Sequence, residues 1–206
     1  MKIYERHFYD LRCSPDVLAT VGFVANIQKE ITESMGMIRK LKRFALAKPN
    51  EYGLIDLCAG NALTSVLAIH LLPFKWALAI DNKPREREWD RAKRFEYRID
   101  DINAAMALEE FRRYPFRPFV IVSVHACGQL AERAIELYQN TEAARHLVLM
   151  PCCEGIGKNR VPLVIRKKIG HYLAWAWHLN DLAGGKLYVD KNVTSPKRAI
   201  IVASKE

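Results

Sequence analysis

Short apolar runs alternate with amphipathic segments along most of this chain. Runs rich in β-branched and aromatic side chains predict strands, and apolar positions three or four residues apart predict helices. The predicted strands are residues 53–58, 75–80, 95–99, 118–124, 146–150, 186–189 and 198–203. The predicted helices are residues 62–72, 85–92, 103–113, 129–138 and 162–182.

This order of elements predicts an α/β fold. Alternation of strands and helices is typical of a mainly parallel sheet that carries helices on both faces. The last two strands are separated only by turn residues such as Asp190 and Asn192, which predicts an antiparallel C-terminal hairpin. We therefore expect a seven-stranded, mainly parallel sheet that ends in this hairpin.

The first 50 residues predict an N-terminal helical segment. Ser14 and Pro15 are typical of a first helical turn, and apolar residues recur at helical spacing from Val17 to Ile38, so one or two helices precede the first strand. Residues 1–50 and a core of residues 51–206 are expected to form a single domain. A basic cluster ends the segment and is either a solvated helix face or a contact with a phosphate backbone. Its members are Arg39, Lys40, Lys42, Arg43 and Lys48.

Charge and cysteine content narrow the classes of function. The 32 Lys and Arg residues exceed the 23 Asp and Glu residues, and the net charge of +9 favours an anionic partner such as nucleic acid. The five cysteines have no repeated Cys-x-x-Cys spacing and no secretory leader is recognisable, which favours the reducing cytoplasm. No apolar run approaches the roughly 18 residues that a membrane span needs, so we expect no membrane partner.

Acidic residues follow three successive predicted strands. Because the carboxyl ends of parallel strands meet at one crevice, these residues are expected to lie together. An acid about 20 residues beyond a small-residue loop can accept hydrogen bonds from both hydroxyls of a ribose. The residues at these three strand ends are Asp56 with Cys58, Ala59, Gly60 and Asn61, then Asp81 with Asn82, and then Asp100 with Asp101 and Ile102.

The fourth and fifth strands end in two distinctive motifs. The fourth ends at Val124 and is followed by His125-Ala126-Cys127-Gly128, and the fifth is followed by Pro151-Cys152-Cys153-Glu154. With the three acids, these motifs resemble the class I S-adenosylmethionine-dependent methyltransferases over residues 52–204. Within that family they resemble the branch that contains tRNA ribose 2'-O-methyltransferases and several methyltransferase-like proteins. A dinucleotide-binding fold is the competing interpretation, but its Gly-x-Gly-x-x-Gly turn is absent.

The resemblance implies a Rossmann-like fold with S-adenosylmethionine as the cofactor. It implies that Asp56 and Gly60 hold the methionine end, that Asp81 holds the ribose, and that Asp101 and Ile102 hold the adenine. The remaining residues implied at the cofactor are Cys58, Ala59, Asn61, Asn82, Asp100, Val124 and His125. Cys58 and Ala62 stand where the family usually has glycine.

Two residues are candidates for catalysis. If the methyl acceptor is a hydroxyl, His125 is suited to remove its proton, although a packed histidine bonded to backbone is the alternative. Glu154 is the second candidate. The strand-end cysteines are expected to be reduced packing residues rather than metal ligands, since adjacent Cys152 and Cys153 lack the usual spacing of zinc ligands. A disulfide or a metal site remains an alternative.

We therefore expect an S-adenosylmethionine-dependent methyltransferase that acts on RNA, with a tRNA ribose 2'-hydroxyl as the most specific acceptor. Basic residues in the segments 83–94, 158–160 and 166–168 are candidates for contacts with phosphate groups. A methyltransferase of a small molecule or a protein is the second hypothesis. A catalytically silent binding protein with a cofactor fold is the third.

Overall fold

A computed structural model describes residues 2–103, 118–153 and 161–205. Its strands are β1 (Gly53–Leu57), β2 (Ala77–Asp81), β3 (Phe95–Ile99), β4 (Phe119–Val124), β5 (Ala144–Met150), β6 (Lys186–Val189) and β7 (Ala199–Ser204). They form one sheet in the order β3-β2-β1-β4-β5-β7-β6. The first five strands pair in parallel, and β7 is antiparallel to both β5 and β6. The predicted seven-stranded sheet and its C-terminal hairpin are confirmed.

Seven α-helices surround this sheet within the described ranges. They are α1 (Ile3–Tyr9), α2 (Ser14–Val21), α3 (Ile27–Ala47), α4 (Leu63–Leu71), α5 (Gln129–Asn140), α6 (Leu163–Ile169) and α7 (His171–Ala183). Three of them precede β1, one more than the upper expectation from the sequence. The additional helix is α1, and its Tyr4 hydroxyl donates a buried 2.6 Å hydrogen bond to Asp190 near the C-terminus of the chain.

Two of the predicted helices need correction. The prediction of a helix at residues 85–92 is wrong, because this segment contains only the 3₁₀ turn Trp89–Arg91. Trp89 stacks on Tyr97 of β3 with ring centroids 4.6 Å apart, so tertiary packing takes priority over a helix rich in charged residues. The helix expected at residues 162–182 is divided into α6 and α7 at Gly170, whose φ of +83° no α-helix accommodates. The helix expected at residues 103–113 lies outside the described residues from residue 104 onward.

Alternate residues of the central strands supply two separate apolar layers. Leu54, Val122 and Val148 face the layer that contains α1 to α4. Ile55 and Leu149 face the opposite layer, which contains α5 and α7. Side chains on a strand point alternately to its two faces, so a sheet covered on both sides needs apolar residues at nearly every position. Because β1 is buried on both faces, the position of its carboxyl end is fixed. The loop that follows this end forms the first part of the candidate site.

Within the described ranges, none of the helices has the length and apolar character required to cross a membrane.

Candidate active site

The loop between β1 and α4 makes a tight turn with left-handed backbone conformations. Cys58, Gly60 and Ala62 have φ angles of +57°, +57° and +55°. Left-handed backbone costs a residue with a Cβ about 1–2 kcal/mol, so Cys58 and Ala62 adopt a conformation that favours glycine. The two positions at which the family usually has glycine therefore keep the glycine-like path of the loop. At Gly60 an added Cβ would meet no atom within 4 Å, so the loop borders open space there.

Asp81 joins the loops that follow β1 and β2. Its Oδ2 accepts a 2.8 Å hydrogen bond from the backbone amide of Gly60, and its Oδ1 accepts one of 2.9 Å from the amide of Lys83. The Tyr97 hydroxyl donates to the carbonyls of Gly60 and Lys83, each at 3.1 Å. Asp81 is therefore held in place beside the small-residue loop, and the neighbouring Asn82 is exposed.

The end of β3 lies beside the end of β2, as the parallel sheet requires. The backbone amide of Asp100 donates to the carbonyl of Asp81 at 3.0 Å. Asp101 is exposed, whereas Ile102 is only 3% exposed and belongs to the apolar layer under α5. Of the residues predicted to hold an adenine, Asp101 is accessible and the side chain of Ile102 forms part of the core.

A cavity of about 220 Å³ lies at the carboxyl ends of β1 and β4. Seven residues predicted at the cofactor line it: Asp56, Cys58, Ala59, Gly60, Asn61, Val124 and His125. Six lining residues were not predicted at the cofactor, although Arg85 belongs to the segment predicted to contact phosphate groups. These six are Glu30, Glu33, Ser34, Leu63, Thr64 and Arg85. The structure therefore brings together the ends of the first and fourth strands, and it adds a wall from α3 and α4.

The wall is held in place by polar contacts between α3 and the start of α4. The side-chain amide of Asn61 donates to the carboxylate of Glu30, and the Oδ1 of Asn61 accepts a 3.0 Å hydrogen bond from the amide of Leu63. The hydroxyls of Ser34 and Thr64 are 2.9 Å apart. Asn61 thus satisfies a free amide at the start of α4 and links the cavity loop to α3.

Asp56 is a buried carboxyl group in the cavity lining, with 2% of its surface exposed. Burial raises the pKa of Asp56 to about 7, although hydrogen bonds from Ser65 oppose the shift. Its Oδ1 is buried and has no hydrogen-bond partner among the described residues. A buried carboxylate oxygen without a partner costs free energy, and a cation in the cavity would remove that cost.

His125 lies between β5 and α3. Its backbone amide donates to the carbonyl of Met150 at 2.8 Å, and its φ is +62°, a strained value for a residue with a Cβ. The imidazole Nε2 is 2.7 Å from Oε1 of Glu33, whose side chain is 1% exposed. The Nδ1 is buried without a hydrogen-bond partner in the described part of the chain. The Nζ of Lys29 also lies 3.2 Å from this Nε2, but the carboxylate oxygen is closer, and its contact favours the tautomer with the proton on Nε2, which leaves a lone pair on Nδ1.

Glu33 is charged despite its burial. Burial opposes ionisation, but the hydrogen bond and charge of His125 and the ammonium group of Lys29 together hold the pKa of Glu33 below its ordinary value. The Nζ of Lys29 lies 3.1 Å from Glu33 Oε1. No signal in the sequence marked Glu33, since apolar residues recur at helical spacing through Ile31 and Ile38 and the polar residues between them resemble a solvated helix face.

Three cysteine side chains meet next to His125. The sulfur atoms of Cys127, Cys152 and Cys153 lie within 4.8 Å of one another, and all five cysteines of the chain are free thiols. Desolvation and the two neighbouring sulfurs raise the pKa of Cys127 to about 12. Cys127 is exposed, so the expectation that these cysteines are simply buried packing residues does not hold for it.

The basic cluster at the end of α3 is distant from the cavity. Arg43 lies over the ring of Phe44, which stacks on His146 near the start of β5. Lys40 lies 3.6 Å from the ring centroid of Tyr188. His125 contacts the other end of β5, about 13 Å along the strand from His146. Glu154 and the basic residues Lys158 and Arg160 lie outside the described residues.

Comparison with known proteins supports the assignment of the fold. A family model described as a methyltransferase domain matches residues 27–156, more than half of the chain. The CurJ carbon methyltransferase is 15% identical, with a TM-score of 0.52 over 85% of this chain and 54% of that one. The TDP-rhamnose 3'-O-methyltransferase CalS11 is 10% identical, with a TM-score of 0.51 over 95% of both chains. At these identities the similarity shows a shared Rossmann-like methyltransferase fold.

Curated relatives match a shorter part of the chain. The glutathione S-transferase C-terminal domain-containing proteins of Bos taurus and Homo sapiens are each 28% identical over 113 residues. This region is 55% of the present chain and 17% of each relative, so the chain spans less than a fifth of their length.

The cavity fits the cofactor that the methyltransferase family implies. S-adenosylmethionine carries an ammonium group and a sulfonium, and the free Oδ1 of Asp56 offers a negative partner in the lining. Gly60 leaves room for close approach of a ligand to the backbone. The family match begins at the first residue of α3, the helix that forms the cavity wall, and continues beyond β5. Because it covers most of the elements around this cavity, the chain belongs to the methyltransferase-domain family.

Proposed function

We propose that this protein is a cytoplasmic S-adenosylmethionine-dependent methyltransferase that methylates a hydroxyl group of RNA, with a tRNA ribose 2'-hydroxyl as the most specific acceptor. One observation carries the proposal. Residues that line the cavity contribute several buried atoms without hydrogen-bond partners in the described structure, and two of these atoms, Asp56 Oδ1 and His125 Nδ1, carry the proposal. The first suits a cationic cofactor, and the second suits an acceptor that loses a proton.

Asp56, Gly60 and Asp81 are the residues that would hold the cofactor. The carboxylate of Asp56 would attract its positive charges, and the open backbone at Gly60 would allow its close approach. Asp81 already orients the Gly60 amide, and its carboxylate oxygens have further lone pairs for ribose hydroxyls. When bound, S-adenosylmethionine supplies a methyl group on a positively charged sulfur.

His125 is the candidate general base. Glu33 holds the Nε2 side of the imidazole, so the Nδ1 lone pair is available to accept the proton of an acceptor hydroxyl. The charge of the buried Glu33 then stabilises the imidazolium that results, as a carboxylate partner does in other histidine bases. Because Lys29 also contacts Glu33, the carboxylate remains ionised and oriented before the proton moves.

The preference for RNA is supported by charge. A net charge of +9 favours a polyanionic substrate, and contacts with phosphate groups position nucleic acids on proteins. Arg85 lines the cavity, and Lys83 is exposed on the same loop after β2. These two side chains are the candidates for phosphate groups next to the acceptor. The cluster around Lys40 and Arg43 would contact a more distant part of a large RNA.

The test of the proposal is incubation of the protein with methyl-labelled S-adenosylmethionine and separate pools of total RNA, protein and small metabolites. We expect label in the RNA pool, and nuclease digestion should recover it on ribose. The Asp81→Ala variant should lose cofactor binding in calorimetry, whereas His125→Ala should bind cofactor and lose turnover. Label in the protein or metabolite pool alone would replace RNA with that class of acceptor. No cofactor binding by the parent would refute the whole proposal.

A second experiment tests contact with RNA independently of turnover. Neutralisation of Arg39, Lys40, Lys42 and Arg43 should weaken binding to tRNA and reduce its dependence on salt, because fewer counterions are released. Cofactor affinity should not change, since these residues are remote from the cavity. Binding to tRNA that is independent of salt in the parent protein would contradict an electrostatic contact.

A further inference from the structure

The carboxyl ends of β4 and β5 bring three sulfur atoms together at one point. Cys127 follows β4, and the adjacent residues Cys152 and Cys153 follow β5. Their sulfur atoms all lie within 4.8 Å of one another. The backbone supports the same junction, because the Gly128 amide donates to the carbonyl of Cys153 at 3.2 Å and the His125 amide donates to the end of β5. The fold therefore brings together two segments whose nearest cysteines, Cys127 and Cys152, are 25 residues apart in the sequence.

A fourth side chain gives this group of sulfurs a positive neighbour. The Nζ of Lys197, from the segment before β7, lies 3.3 Å from the Sγ of Cys152. Three thiolates around a divalent cation carry a net charge of −1, and the ammonium group of Lys197 would neutralise it. Cys127 donates its thiol hydrogen to the carbonyl of His125 at 3.3 Å, a weak contact that metal binding would replace.

We propose that Cys127, Cys152 and Cys153 form a three-thiolate site for one zinc ion, with Lys197 as the compensating charge and the fourth position open to solvent. Zinc accepts thiolate ligands at about 2.3 Å in a tetrahedral geometry, so the sulfurs would lie about 3.8 Å apart. Sulfurs already within 4.8 Å need an approach of about 1 Å at most, which side-chain rotation supplies. The exposure of Cys127 leaves room for a water molecule or an exogenous ligand.

The sequence spacing argued against zinc because adjacent cysteines do not match the usual ligand pattern. In this fold Cys127 comes from a different strand end than Cys152 and Cys153. The proposed set of three ligands therefore depends on tertiary structure rather than on local spacing. An ion here would join the segment after β4 to the end of β5 and so fix the backbone next to His125. The proposal is independent of methyl transfer, since metal binding is measured without cofactor or RNA.

The test uses the full chain, freed of metal by a chelator and kept reduced with a phosphine. Cobalt(II) is added as a spectroscopic probe, and zinc affinity is measured by competition with a chromophoric chelator. We expect one equivalent of cobalt to give thiolate charge-transfer absorption together with tetrahedral visible bands, and zinc to displace it. Each of Cys127→Ser, Cys152→Ser and Cys153→Ser should weaken zinc binding at least about tenfold, and Cys13→Ser should not.

Lys197→Met gives a second measurement that does not remove a ligand. It should weaken zinc binding several-fold, whereas Lys191→Met, an exposed lysine of the same β6–β7 segment, should leave the affinity unchanged. Circular dichroism confirms that each variant is folded, and the remaining variants decide the question if one is not. Three outcomes would overturn the proposal: no thiolate charge-transfer band, stoichiometry well below one, or equal affinity in the three ligand variants and Cys13→Ser.

Discussion

The ionisation of Asp56 should make cofactor affinity depend on pH. Burial raises the pKa of this carboxyl group to about 7, so near neutrality a large fraction of the cofactor-free protein carries a neutral Asp56. Only the carboxylate attracts the positive charges of S-adenosylmethionine, and binding should therefore release a proton. Lowering the pH from 7.5 to 6.0 removes the carboxylate without any mutation, and Asp56→Asn removes it at every pH.

The size of the effect follows from the pKa. If only the ionised form binds, the apparent association constant is scaled by 1/(1 + 10^(pKa − pH)). With a pKa of about 7, this factor falls from about 0.76 at pH 7.5 to about 0.09 at pH 6.0. The affinity should thus fall about eightfold, which corresponds to about 1.2 kcal/mol of binding free energy. The range stops at pH 7.5 because an α-amino group, with an ordinary pKa of about 7.7–8.0, loses most of its charge above it.

Isothermal titration calorimetry measures both quantities. The affinity is determined at four pH values between 6.0 and 7.5, and proton release is obtained from buffers of different ionisation enthalpy. Asp56→Asn should bind more weakly at pH 7.5 and lose the pH dependence. Histidine side chains ordinarily titrate in the same range, so His125→Gln is the control and should retain it. An affinity constant across this range in the parent, or an unchanged slope in Asp56→Asn, would refute the assignment.

Three further predictions concern the same cavity. Because the folded pKa of Asp56 is raised, its stabilising protonation is lost as pH rises from about 4 to about 7. Asp56→Asn should therefore raise the unfolding free energy at pH 7.5 by up to about 4 kcal/mol in urea denaturation. Glu33→Gln should lower kcat at least about tenfold while leaving cofactor affinity within about twofold, since Glu33 acts through His125. Gly60 and Gly184 both have φ near +60° and open space where a Cβ would be added, so Gly60→Ala and Gly184→Ala should each cost about 1 kcal/mol of stability. Only Gly60→Ala should also weaken cofactor binding in calorimetry.

The sheet could be predicted because its determinants are local in the sequence. Each central strand is buried on both faces and therefore has apolar residues at nearly every position. The two edge strands, β3 and β6, are partly exposed, and their observed bounds are the same as the predicted ones. The same reasoning placed Asp56 and His125 at strand ends that share a cavity. Parallel pairing brings residues that are distant in the sequence to one edge, so the prediction of a mainly parallel sheet was enough for these residues.

Other parts of the site depend on packing that periodicity does not encode. The segment before β3 has charge spacing compatible with a helix, but Trp89 stacks on Tyr97 and Arg87 donates to the carbonyl of Phe23 near the start of α3. These contacts are made with other elements, so the local pattern gave the wrong element. The backbone path of the loop after β1 could not be predicted from residue types either, because Cys58 adopts a positive φ that its residue type disfavours.

Glu33 shows why the candidate base could be found from the sequence but its partner could not. His125 was notable because it follows a strand, whereas Glu33 lies within a helix whose charged residues otherwise suggest a solvated face. Glu33 is 1% exposed and Arg43 lies ten residues later on the same helix, about 15 Å along its axis, beside the other end of β5. One helix therefore contributes an acidic wall to the cavity and a basic cluster remote from it. If α3 were assigned to RNA contact alone, the role of Glu33 in orienting His125 would be missed. Because Glu33 and the basic cluster lie far apart on this helix, mutations at one or the other can distinguish the proposed catalysis from the proposed RNA binding.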